Sequence, residues 1–195
     1  VKGHQRVLDF GQSIGLPEEV RGLNTLLGER IELVGYESGP LTLGAVDTVS
    51  VRLYWTPRVK LDRDYSVFVH LIGGDGVPIG QGDIRHAAAQ YEIGQVILDE
   101  YHIPLLPTVR PGQYRLVAGV YYTPADGGWQ RLVTGDGSDT VHLAGVEVTP
   151  SVIAPVTQHS IKVRSSLGYT LLGVDYDRSV ADQLRASSQA ALQAL

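Results

Sequence analysis

From Arg30 onward, hydrophobic and polar residues alternate. In "VSVRLYW", Val49, Val51, Leu53 and Trp55 share one side, and Ser50, Arg52 and Tyr54 share the other. That period of two marks a half-buried strand. "YSVFVHLI" repeats it, with Tyr65, Val67, Val69 and Leu71 set against Phe68 and His70. "RIELVGYES", "QVILDEYHI", "GQYRLVAGVYY" and "TVHLAGVEVTP" continue the series. Turn signals separate these runs: "GGDG" at 73–76, leading to a short "VPIGQ" strand, Gly127-Gly128 at a hairpin tip, and "GDGSD". Residues 83–94, "DIRHAAAQYEIG", read as a polar loop. Seven or eight strands with almost no helix predict an all-β fold, an antiparallel β-sandwich of immunoglobulin-like or jelly-roll type.

The two ends depart from this pattern. "GLPEEVRGLNTLLGERI" predicts a short helix, with Pro17 early, Glu18 and Glu19 in its first turn, Leu23, Leu26 and Leu27 inward, and Gly28 as its stop. The tail "SVADQLRASSQAALQAL" predicts a C-terminal helix, capped by Ser179 and Asp182. Between the sandwich and that tail, "LGYTLLGVDYD" (167–177) matches "GERIELVGYES" (28–38) when Gly173 is set on Gly35. The match is short, and three readings stand: chance, a weak internal repeat that starts a truncated second copy, or a strand that completes the first sandwich. The expected organisation is an N-terminal extension (1–28), a sandwich (29–150), a connector (151–160) and a C-terminal strand plus helix (161–195).

Composition narrows the function. The chain has 195 residues, of which 43% are hydrophobic and 19% charged, enough to bury a core. A net charge of -5 without any Lys/Arg run argues against nucleic acid and anionic membranes as partners. No apolar run reaches the roughly 20 residues that span a bilayer, so no membrane insertion is expected within this segment. Cysteine is absent, which removes disulfides, thiolate metal sites and cysteine nucleophiles.

Catalytic and metal patterns are weak. "GQSIG" (11–15) fits G-x-S-x-G with Ser13 as nucleophile, but the strand–turn–helix that such an elbow requires is missing. Asp75 and Asp126 sit at turns, where Asp serves the backbone. "DGSD" (136–139) and "GGDG" lack calcium-loop spacing. The six histidines make no H-x-H or H-x-x-x-H pair, so no metal and no cofactor is expected. The outward aromatics form the candidate site: Arg52, Tyr54, Phe68, His70 and Tyr121 on one outer face, suited to a protein, a neighbouring domain or a sugar ring. In "YRLVAGVYY", Tyr114 and Tyr122 fall on the core side. Tyr114 is the expected corner residue, its hydroxyl tying strand to loop.

Two motifs carry a family resemblance. They are "YSVFVHL" followed by a D-G hairpin, and P-G-x-Y-x-L-x-x-G-x-Y, here Pro111, Gly112, Tyr114, Leu116, Gly119 and Tyr121. Over roughly 28–148 the chain resembles an accessory domain found C-terminal to bacterial multi-pass glycosyltransferases of the dolichyl-phosphate-mannose type and to related membrane proteins. That family has a Pro-Thr and a Trp after the hairpin. This chain has neither, and Tyr91 stands in the aromatic's place. The resemblance implies a bacterial, extracytoplasmic location and no catalytic residue, since the transferase chemistry belongs to the membrane part. The expectation is a non-enzymatic accessory or interaction module of a larger membrane-associated protein. The alternative is a carbohydrate-binding module using the outer aromatic face.

Overall fold

A computed structural model describes residues 4–8, 17–44, 47–106, 108–150, 159–164 and 170–174. The chain divides into two compact units, 1–150 and 151–195.

The first unit is a β-sandwich. One sheet runs β1 (His4–Leu8), β8 (Val96–Pro104), β5 (Thr48–Pro57), β3 (Ile31–Ser38) and β2 (Arg21–Leu27), antiparallel throughout. The other runs β4 (Thr42–Leu43), β11 (Val141–Val148), β9 (Gly112–Tyr122), β6 (Tyr65–Ile72) and β7 (Pro78–His86), with β10 (Gln130–Arg131) paired to β9. In this sheet β4 joins β11 in parallel, and the other pairs are antiparallel. The alternation read from sequence sets the packing. Val49, Val51, Leu53 and Trp55 of β5 meet Tyr65, Val67, Val69 and Leu71 of β6 in one core, each at most 2% exposed. The Tyr36 hydroxyl donates to the Leu143 carbonyl, and the Tyr101 hydroxyl donates to the Val67 carbonyl at 3.0 Å. Each of these bonds crosses from one sheet to the other.

Three expectations need correction. Residues 21–27 form a strand, not a helix. Leu23, Leu26 and Leu27 fit a helical face, but pairing with β3 wins, and a register shift between Gly22 and Thr25 accommodates Asn24 at φ 49°. The segment expected as an extension thus supplies two strands, β1 and β2, to the first sheet. Strand β7 runs on to His86, so the first four residues of the expected 83–94 loop are sheet, followed by a single 3-10 turn at Ala88–Gln90. The C-terminal helix expected over 179–195 lies outside the described residues, as does Ser13.

The Tyr114 expectation holds: its hydroxyl donates to the Arg110 carbonyl at 2.7 Å. The second unit contains an antiparallel hairpin of β12 (His159–Arg164) and β13 (Thr170–Val174).

Candidate functional site

The five expected contact residues do not share a face. Arg52 and Tyr54 lie on β5, on the outside of the first sheet, whereas Phe68, His70 and Tyr121 lie on β6 and β9, on the outside of the second. Alternation reports in or out along a strand, but it does not say which sheet the strand joins.

On the first sheet, Arg52 donates to Glu100 Oε1 at 3.2 Å and to Glu37 Oε2 at 3.3 Å. The Tyr54 hydroxyl donates to the other oxygen of Glu37 at 2.5 Å. Burial, followed by the Glu37 hydrogen bond and charge, pushes the Tyr54 hydroxyl well above its ordinary range. Tyr54 is only 3% exposed, so it is a closed strut and offers no stacking face. The Glu37 hydrogen bond also raises the Arg52 guanidinium.

The second sheet is different. The cross-strand register sets Asp83, Phe68 and Gly119 in one row, and Arg85, Ser66, Tyr121 and Arg131 in the next. Phe68 is fully buried although it points outward. It lies across Gly119, where an added Cβ would come within 2.4 Å of its ring. His70 stacks beside it at 4.4 Å, and the Arg131 guanidinium lies over it at 4.9 Å. Above this base stands Trp129, 66% exposed, with Arg131 5.3 Å from its ring centroid. Phe68, His70, Gln81, Asp83, Tyr121, Trp129 and Arg131 line a recess of about 580 Å³. A second recess of about 490 Å³, lined by Arg63, Asp64, Ser66 and Arg85, shares Asp83 and Tyr121 with it.

The guanidiniums here are paired: Arg131 with Asp139 at 2.9 Å, Arg85 with Asp64 at 3.0 Å and Arg63 with Asp62 at 2.9 Å. His70 Nε2 makes no hydrogen bond and stands 3.5 Å from Asp83 Oδ2. The face therefore offers a half-covered carboxylate, an amide and two aromatic rings, with its cations already neutralised. Trp129 was missed in the sequence because it lies at a hairpin tip, beyond any alternating strand. The pairing of Arg131 with Tyr121 brings it onto this face.

The sequence also missed a buried polar cluster. Asp99 Oδ2 accepts from Trp55 Nε1 at 2.8 Å and lies 2.9 Å from His86 Nε2, and the Tyr101 hydroxyl donates to it at 3.4 Å. His86 Nδ1 lies 2.9 Å from the Tyr91 hydroxyl. Asp99 and His86 are fully buried, so this His–Asp pair is closed to substrate. The signal was present in "VILDEYHI": Asp99 is in phase with Ile97, Tyr101 and Ile103, all inward. Burial raises the Tyr101 hydroxyl far above its ordinary value.

The loop carboxylates serve turns. Asp75 Oδ1 accepts from the Val77 amide at 3.0 Å, and Asp136 Oδ1 accepts from the Ser138 amide at 3.2 Å. Among the described residues no three His, Asp or Glu side chains converge as a metal-ligand set, and no helix is long and apolar enough to cross a membrane.

No family model matches the chain, and no curated protein matches it. Among solved structures, the crystal structure of the C-terminal domain of Wzt is similar over 70% of this chain and 81% of that one, at 13% identity and a TM-score of 0.43.

Proposed function

We propose that this chain is a non-catalytic accessory module that holds a neutral saccharide on the outer face of its second sheet. The carrying observation is the recess beneath Trp129, where an exposed indole and a half-exposed Tyr121 stand beside Asp83 and Gln81. Flat rings suit the C–H faces of a pyranose, while the carboxylate and amide suit its hydroxyls. Pairing of the nearby guanidiniums with carboxylates favours a neutral sugar over an anionic one. The resemblance of the 28–148 segment to accessory domains of multi-pass glycosyltransferases supports a place in a larger, membrane-associated bacterial protein, on the extracytoplasmic side.

Affinity electrophoresis through neutral and acidic polysaccharides tests this reading. Retardation by a neutral glycan is expected. Trp129→Ala should weaken it about tenfold, the equivalent of about 1.4 kcal/mol of ring stacking. Because Trp129 is 66% exposed, the melting temperature should stay unchanged. If no polysaccharide retards the protein, or Trp129→Ala binds as the parent does, the reading fails.

A further inference from the structure

Two recesses lie end to end along β6, on the outer face of the second sheet. The one beneath Trp129, of about 580 Å³, sits over Phe68 and His70. The other, of about 490 Å³, sits over Ser66, between Arg63, Arg85 and Thr123. Ser66, Phe68 and His70 are alternate residues of one strand, so they share a face. From Ser66 to His70 an extended strand rises about 13 Å, longer than a single pyranose ring. Each recess alone falls within the range of about 300–1,000 Å³ that suits a small-molecule site. A single ring beneath Trp129 therefore leaves the second recess unfilled.

The two recesses meet at Asp83 and Tyr121, which line both. Asp83 stands opposite Phe68 on β7, and Tyr121 stands opposite Ser66 on β9, so they flank β6 from its two sides. Among the described residues, the Asp83 carboxylate and the Ser66 and Tyr121 hydroxyls make no hydrogen bond, and His70 Nε2 comes no nearer to Asp83 than 3.5 Å. A carboxylate accepts at two oxygens, and a phenol both donates and accepts. Asp83 and Tyr121 can thus hold hydroxyls of two consecutive sugar units at once. The guanidiniums of the second recess are each paired, Arg85 with Asp64 and Arg63 with Asp62. Each keeps further N–H donors for sugar hydroxyls, and the paired charge suits a neutral unit here as it does beneath Trp129.

On the reading of this face as a saccharide site, we propose that its ligand is a chain: two or more consecutive units of a neutral oligosaccharide laid along β6. One unit stacks beneath Trp129, and the next sits over Ser66 between Arg63 and Arg85. Asp83 and Tyr121 stand at the linkage between the two units, which makes them the residues that select how the units are joined.

The probe is the neutral polysaccharide that most retards the protein, cut by partial acid hydrolysis into fragments of one to four units and titrated into the full chain by calorimetry. Affinity should rise at least tenfold from one unit to two or three, and level off once both recesses are filled. Ser66→Phe places a ring on the floor of the second recess, at an outward, half-buried strand position that accepts one. It should abolish that rise and leave one-unit binding as in the parent. Arg85→Ala, at a side chain 77% exposed, should reduce the rise without changing the melting temperature. Trp129→Ala should instead weaken every length alike. The proposal is overturned if one unit binds as tightly as four, or if both second-recess variants keep the full rise. Either result leaves the saccharide reading standing. Absence of binding by every fragment and by the parent polysaccharide removes that reading, and the proposal with it.

Discussion

At the scale of single residues, polar side chains inside the sandwich are held by specific partners. Asp99 is the clearest case: its carboxyl is fully buried, and Trp55, His86 and Tyr101 all converge on Oδ2, while Oδ1 has no hydrogen-bond partner. Removing one member of a buried pair leaves the other without compensation, at a cost of about 3–5 kcal/mol. His86→Leu should therefore lower stability by that order in urea denaturation followed by far-UV circular dichroism. Adding Asp99→Asn should recover part of the loss, since an amide oxygen at this position still accepts from Trp55 Nε1. Asp62 shows the surface counterpart. The hydrogen bond from Arg63 lowers its carboxyl to about 2, with help from the Tyr65 hydroxyl. The folded value lies below the unfolded one of about 3.9, so its contribution is full above that pH and is lost as pH falls toward 2. At 39% side-chain exposure solvent screens the pair, and the effect on stability is small. The carboxyl NMR titration should have its midpoint near 2, and Arg63→Ala should move it up toward the ordinary value.

At the scale of elements, glycine and aromatic residues lock β6 to β9. Phe68 occupies the space that a side chain at position 119 would fill, with the Asp139 carbonyl also 3.0 Å from the added Cβ. Phe68→Ala should cost about 3–5 kcal/mol as a buried aromatic lost, and Gly119→Ala should destabilise by collision. The double variant should cost less than the sum, because removing the ring removes the collision. Thermal melts of the four proteins give the coupling energy, and strict additivity would contradict this packing. Strands with large alternating side chains, such as β5, β6 and β9, were legible from sequence for the same reason that they pack. Strand β7 was cut short because two of its inward positions are Gly80 and Gly82, which carry no apolar signal. The β2 segment was ambiguous locally and was decided by its partner β3. Of the expected site, Tyr121 lines the recess half-exposed, while His70 is buried beside Phe68, which forms its floor. Arg52 and Tyr54 belong to the opposite side, a separation that only the strand order of the two sheets reveals.

At the scale of the whole molecule, pairing links distant parts of the chain. His4 is set opposite Glu100, and Thr42 is set beside Glu147 in the parallel clasp of β4 and β11. Such non-local pairing places folding in the millisecond-to-second range typical of β-sandwiches. The Asp99 cluster joins the two sheets as they close, with Trp55 and Asp99 on one and His86 on the other. Many sandwiches of this size fasten their sheets with a disulfide packed on a tryptophan. Here a tryptophan is present and the fastening is a carboxyl and an imidazole, in a chain without cysteine. The tie needs no oxidant to form and no reductant can open it. The closure of this sandwich is thus independent of the redox potential of its surroundings.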